Sequence, residues 1–146
     1  MKTIITPANL LGYIFTSEEY YSSSVVTNMD VAIAESRYLL PIIGEELYNR
    51  LLAGAYVELR DEYVAPMLGA WVRYIVEPLL AERCGVDHGA IAVDRVRQRH
   101  LKAMATTLSH RLSDYLNANK DNFEEYNPCD NPLNHCSIDG DIVQVY

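Results

Sequence analysis

A chain of 146 residues, 49% apolar and 22% charged, has the composition of one ordinary globular domain and can bury roughly 70% of the surface its unfolded form exposes. Its formal charge of -8 argues against a general nucleic-acid binder, because the phosphate backbone rewards a net positive surface. No uncharged run approaches the roughly 20 apolar residues of a spanning helix. The cysteines Cys84, Cys129 and Cys136 follow neither a framework spacing nor a secretory signal, which points to free thiols in a soluble protein made in a reducing cytoplasm.

Thr6-Pro7 is a helix start, a hydroxyl able to cap free amides followed by a proline suited to the first helical position, and a short helix to about Phe15 is expected. Thr16 or Ser17, with Glu18 and Glu19 behind it, resembles a second cap. Ser22 to Ser24 loosens the chain before a longer helix whose Val25, Met29, Ile33 and Ser36 share a face, with Asp30 and Glu35 on other faces.

"SRYLLPIIGEELYNRLLAG", residues 36–54, raises the question of where one helix ends and the next begins. A proline inside a helix removes a hydrogen bond and strikes the carbonyl four residues earlier, at a cost of about 3 kcal/mol. Pro41 therefore predicts a corner, with one helix ending near Leu39, a turn at Leu40 and a second helix from Pro41 to Ala53 closed by Gly54. Ile43, Leu47, Leu51 and Leu52 would form its apolar stripe. Glu45 and Glu46 near its start and Arg50 near its end suit the helix dipole. Gly44 predicts the close approach of a neighbouring backbone.

A long apolar helix follows from about Leu59 to Cys84, kinked or divided at Pro66 and Pro78 and closed by Gly85, with Leu68, Trp71, Val72, Ile75 and Leu79 on its core face. Being apolar almost all round, it belongs at the centre of a bundle. After the loop "GVDHGA", the helix from about Asp94 to Asn119 carries Leu101, Met104, Leu108, Leu112 and Tyr115 on one stripe and Arg95, Arg99, Lys102 and Thr106 on another. Beyond Asn122 the helical period is lost. Ile142, Val143, Val145 and Tyr146 have strand-like composition and suit a partner's sheet edge or groove. The expected fold is thus an all-α single-domain bundle of about four to five helices over residues 1–121, with an extended, irregular, acidic C-terminal arm over 122–146.

Eleven tyrosines against two phenylalanines suit half-buried seams and interfaces, since the ring is apolar and the hydroxyl wants a partner. Charge is also segregated. From Arg95 to Arg111 there are five basic residues and no acidic one, and from Asp121 to Tyr146 six acidic residues and no basic one. The basic stripe has three readings: a solvated face, a subunit contact in which the acidic tail of one copy meets the basic helix of the next, and a seat for DNA phosphates.

Catalytic constellations are thin. Cys84 and His88 straddle a glycine without a second pair at zinc-like spacing. Cys129, His135 and Cys136 lie on a segment without regular period, and His100 and His110 suit partly exposed structural positions on the long helix. Glu35, Glu45, Glu46 and Glu82 are scattered as on a solvated face. There is no phosphate-cradling glycine loop, nucleophile elbow or helix-borne zinc motif. No enzymatic activity, metal or cofactor is expected.

"AESRYLLPIIGEELYNRLLAGAY" followed by "YVAPMLGAWVRYIVEPLL" resembles small helical proteins encoded beside capsid and portal genes in tailed phages and prophages of Bacteroides-type gut bacteria. More distantly it resembles the head-tail connector, or adaptor, proteins of long-tailed phages. The resemblance spans residues 1–121 and rests on Arg37-Tyr38-Leu39, Pro41, Ile43-Gly44 and Leu47-Tyr48, a structural pattern without catalytic content. It implies a virion protein assembled in the host cytoplasm as a homo-oligomeric ring in the neck. That ring would contact the portal and a downstream neck or tail protein, with DNA only as channel contents and no membrane. Arg95, Arg99, Lys102, Ile142, Val143, Val145 and Tyr146 are the candidate subunit and partner contacts, and Pro41 and Gly44 the structural corner. The alternative is a helical nucleic-acid-binding or regulatory protein using the basic 95–111 helix.

Overall fold

The computed structural model describes residues 2–16, 23–83 and 95–134, and the backbone of two short strands at 136–139 and 142–145. Helix α1 (Pro7–Ile14) starts where Thr6-Pro7 predicts, with the Thr6 hydroxyl accepting the Asn9 N–H at 3.4 Å. The second cap expected near Ser17 and Glu18 lies outside the described residues. Helix α2 (Asn28–Ala34) opens with a capping box in which Thr27 and Asp30 exchange side-chain and backbone bonds. Aspartate stands there in place of the usual Glu or Gln, so the box is not conspicuous in the sequence.

The expected corner at Pro41 is corrected by the structure. The helix runs on from α2 through a π turn (Glu35–Leu39) into α3 (Leu40–Ile43), with Leu39 and Leu40 both in helical conformation. In the π turn the Leu40 N–H reaches back to Glu35, five residues instead of four, and this wider turn relieves the clash that a proline ring makes with the carbonyl at i−4. The same device recurs downstream. A π turn (Arg60–Val64) between α5 (Val57–Leu59) and α6 (Ala65–Val76) precedes Pro66, and Ala65 N–H bonds Arg60 five residues back. Pro78 sits in a 3₁₀ turn (Glu77–Leu79) leading to α7 (Leu80–Arg83).

The corner itself is Gly44. Its φ of +83° and ψ of 163° lie in a region essentially closed to residues with a Cβ, and α4 (Glu45–Leu52) departs from it. No heavy atom stands within 4 Å of where a Gly44 Cβ would be, so the expected close approach is also corrected: Gly44 is needed for its dihedral angles. Close approach occurs instead at Gly69 in α6, where a Cβ would lie 2.4 Å from Tyr13 Cβ and 2.9 Å from the Tyr13 backbone. That glycine lets α1 cross α6.

Burial corrects the first long helix as well. Val31, Ala34, Leu39, Ile42 and Ile43 are its buried apolar residues, and Asp30 and Glu35 are buried with them. Met29 is 53% exposed, and Ser36 is exposed. Helix α6 is buried on nearly every side, from Ala65 through Val76, and packs on α1, α2 and α8 (Arg95–Ala118), the central position expected of an all-round apolar segment. On α8 the buried line is Leu101, Ala105, Ser109, Leu112, Ser113 and Leu116. Met104 is 44% exposed. The core line is rotated because Ser109 and Ser113, counted as polar in a hydrophobic pattern, are the residues that meet Trp71 and Asn131.

The arm does not begin at 122. Phe123 and Tyr126 are 5% exposed and Asn131 is fully buried, so short turns continue the helical domain after α8. Asn131 Nδ2 donates to Ser113 Oγ at 2.8 Å and to Tyr126 Oη at 2.9 Å, and Tyr126 donates to Asn117 Oδ1 at 2.6 Å. This network stitches the Asn-rich segment to α8. Beyond it, β1 (Cys136–Asp139) and β2 (Ile142–Val145) form an antiparallel hairpin.

Candidate functional site

Among the described residues, two of the five cations between Arg95 and Arg111 are engaged within the domain. Arg97 Nε bonds Glu77 Oε1 at 2.6 Å, tying α8 to the turn after α6. Arg111 donates to the Glu62 carbonyl at 2.9 Å with its guanidinium 4.3 Å from the Tyr63 ring centroid. Arg95, Arg99 and Lys102 stand exposed on the N-terminal half of α8, beside the exposed apolar side chain of Val96. His100 is exposed and His110 half-buried on the same helix.

An acidic cleft lies beside the C-terminal half of α8. Glu45 and Glu46 from the start of α4 and Glu124 and Asp130 from the turns after α8 line it, next to Gly44. Glu125 on its wall is engaged inward, accepting from the Tyr56 hydroxyl at 2.8 Å and pairing with Arg50 at 3.1 Å. The Tyr56 hydroxyl first, then its own backbone N–H and Arg50, hold the Glu125 carboxyl below its usual range. Ser113 and Asn117, which hold Asn131 and the cleft's Tyr126, lie roughly 20–25 Å along the α8 axis from Arg99, at a rise of about 1.5 Å per residue.

Strand β2 pairs with β1 in the same chain, Val143 opposite Ile138, Ile142 opposite Asp139 and Val145 opposite Cys136. The strand-like composition of Ile142, Val143 and Val145 is thus expressed within the chain. Tyr146 lies outside the described residues, as do Cys84, His88 and His135. Cys129 is exposed. Among the described residues no group of His, Cys, Asp and Glu is arranged to hold a metal ion, and no helix is long and apolar enough to cross a membrane.

Most of the partly buried tyrosines lie in seams. Tyr38, in the first π turn, stacks on Trp71 at 3.7 Å between centroids, and Tyr63, in the second, stacks on Tyr115 at 4.0 Å. Each stands three residues before its proline, so the proline-bearing turn presents its aromatic ring to a neighbouring element. Trp71 completes its own satisfaction by donating Nε1–H to Ser109 Oγ at 2.8 Å.

The residues that the sequence pattern misplaced are two buried carboxylates. Asp30, 4% exposed, receives Arg83 Nη1 at 2.6 Å and Nη2 at 3.2 Å, and the Thr27 N–H at 2.8 Å. Burial pushes its carboxyl up, but the bonds from Arg83 and Thr27 outweigh that and hold it below its ordinary value. Glu35 is 0% exposed and has no cation partner among the described residues. Its Oε1 and Oε2 share a single donor, the Ile4 N–H, at 3.0 and 2.9 Å, and Oε1 accepts the Tyr48 hydroxyl at 3.1 Å. Burial pushes the Glu35 carboxyl up to about 7 against those bonds. Burial and the adjacent Glu35 push the Tyr48 hydroxyl up to about 12. Neither carboxylate lies on a solvated face, as scattered acidic residues would.

These features define a class: an all-α single-domain protein with exposed charge of opposite sign beside the two halves of α8. No family model matches the chain, and no curated protein or solved structure matches it significantly.

Proposed function

We propose that the chain is a structural subunit of the head-tail connector of a tailed phage, forming an oligomeric ring between the portal and the next neck or tail protein. The observation that carries this reading is the placing of Arg95, Arg99 and Lys102 on the N-terminal half of α8 and of the acidic cleft of Glu45, Glu46, Glu124 and Asp130 beside its C-terminal half. Opposite charges on different faces of one subunit favour a heterologous, head-to-tail contact, and such contacts close into rings when the rotation permits. The residues that carry the resemblance support it through their structural roles: Tyr38 stacks on Trp71, Gly44 makes the corner, and Tyr48 binds Glu35. A net charge of -8 suits a passage through which DNA slides without being held.

Native mass spectrometry of the chain alone and with a portal ring is the test. A closed oligomer, or co-assembly with the portal, is expected. A strict monomer that ignores the portal at every concentration would overturn the proposal.

The exposure of the same three cations favours a second reading, DNA binding through α8. In that case association at low salt weakens steeply as salt rises, and charge reversal at Arg95, Arg99 and Lys102 abolishes it. Absence of DNA association at low salt removes this reading and leaves the ring untouched.

A further inference from the structure

We infer that residues 2–6 form a proton-linked strap, which closes over Glu35 with the uptake of a proton and loosens when that carboxylate is ionised. The geometry carries this independently of the connector role. Glu35 sits in the first π turn, fully buried, and what covers it on one side is the N-terminal segment: Ile4 contributes its backbone N–H, and Ile5, 8% exposed, packs into the core beside it. Among the described residues the Thr3 hydroxyl also lies within hydrogen-bond distance of Asn28 Oδ1, at 3.3 Å, and of the Ile5 carbonyl, at 2.9 Å.

The donor count is short for an anion. Two carboxylate oxygens offer about four lone-pair sites, yet they receive one shared N–H and one hydroxyl. The protonated acid has fewer sites to fill and no charge to desolvate, so the closed strap favours it. An ionised Glu35 gains hydration only where its cover lifts. Its other neighbours are helices held by their own ladders, whereas residues 2–6 precede α1 and depend on few bonds.

Among the described residues no neighbouring charge substitutes for water. Tyr48 is the titratable group of α4 that touches Glu35. On its own helix, Asp30 is taken up by Arg83, and Arg37 is exposed with no ion pair to Glu35. On α6, Arg73 bonds Glu77 and the Ile14 carbonyl, and Tyr74 lies edge-on to Trp71. The strap brings no titratable side chain to the site; Lys2 is exposed. With the closed-state carboxyl near 7 and its ordinary value at 4.5, the closed state binds the proton more tightly. Closure therefore strengthens as pH falls through 7 and weakens as it rises.

Amide hydrogen exchange of the intact chain, corrected for the intrinsic rate at each pH, is the test. Protection of the Ile4 amide should fall about tenfold from pH 6 to pH 8, while α6 amides such as Leu68 and Val72 remain more protected than Ile4 at both pH values. Glu35→Gln should abolish the pH dependence. In the wild-type chain, 13C NMR of the Glu35 carboxyl should give a midpoint near 7, a readout that stands even if the variant fails to fold. Ile4 protection that does not change with pH, an unchanged pH dependence in E35Q, a midpoint near 4.5, or Ile4 and α6 amides exchanging at one common level would each overturn the strap.

Discussion

Asp30 and Glu35 lie on one continuous helical run, both are buried, and they differ in what reaches them. Arg83 arrives at Asp30 from α7 with two nitrogens; among the described residues Glu35 meets a shared amide and a tyrosine hydroxyl. The first carboxyl is held below its ordinary value and the second is raised to about 7. Burial acts in the same direction on both, so the partner decides the outcome. Their contributions to stability consequently have opposite pH dependence. Asp30, depressed in the fold, stabilises above its ordinary value, and that stability is lost as pH falls through its folded value. Glu35, raised in the fold, contributes fully below 4.5, and that contribution is lost as pH rises towards 7.

The largest expected effect comes from making the two sites alike. Arg83→Met leaves Asp30 buried without its cation and should cost about 3 kcal/mol at pH 7 by urea unfolding, with a loss that shrinks on acidification. Glu35→Gln keeps the shape and removes the charge, and should raise stability at pH 8 by about 2 kcal/mol while leaving pH 5 nearly unchanged. A loss of stability at pH 8 would show that the carboxylate's hydrogen bonds outweigh its desolvation. Thr27→Ala removes both the α2 cap and a donor to Asp30, a cost of about 1 kcal/mol at neutral pH, to be read from the thermal midpoint. Smallest is Tyr48→Phe, which should cost about 1 kcal/mol or less at pH 8 and move the Glu35 midpoint upward by NMR.

A hydrophobic pattern places carboxylates outside, and here that rule misplaced two. The signal that could have found Glu35 is the spacing of Val31, Ala34, Tyr38, Leu39 and Ile42, a helical stripe that closes only with residue 35 inside it. Choosing Met29 and Ile33 instead turned the helix the wrong way. The same limit applies on α8, where Ser109 and Ser113 belong to the core because Trp71 and Asn131 bring them hydrogen-bond partners. The three cations of the basic stripe were legible as a periodic pattern; that Arg97 and Arg111 are spent on Glu77 and Glu62 was not.

The sequence by itself determined the all-α class, the start of α1 at Thr6-Pro7, the closure of α4 at Gly54, the central place of α6 and the extent of α8, because caps, dihedral demands and helical period act over a few residues. Only the tertiary structure decided that Pro41 is carried through by a π turn and that the corner falls at Gly44. It also placed Phe123, Tyr126 and Asn131 in the core and left one buried carboxylate with a counter-ion and the other without. The widened turn that accommodates Pro41 also sets Tyr38 on Trp71, and a buried charge is tolerable only if a partner comes from elsewhere. Those partners are distant in the chain and close only in the fold.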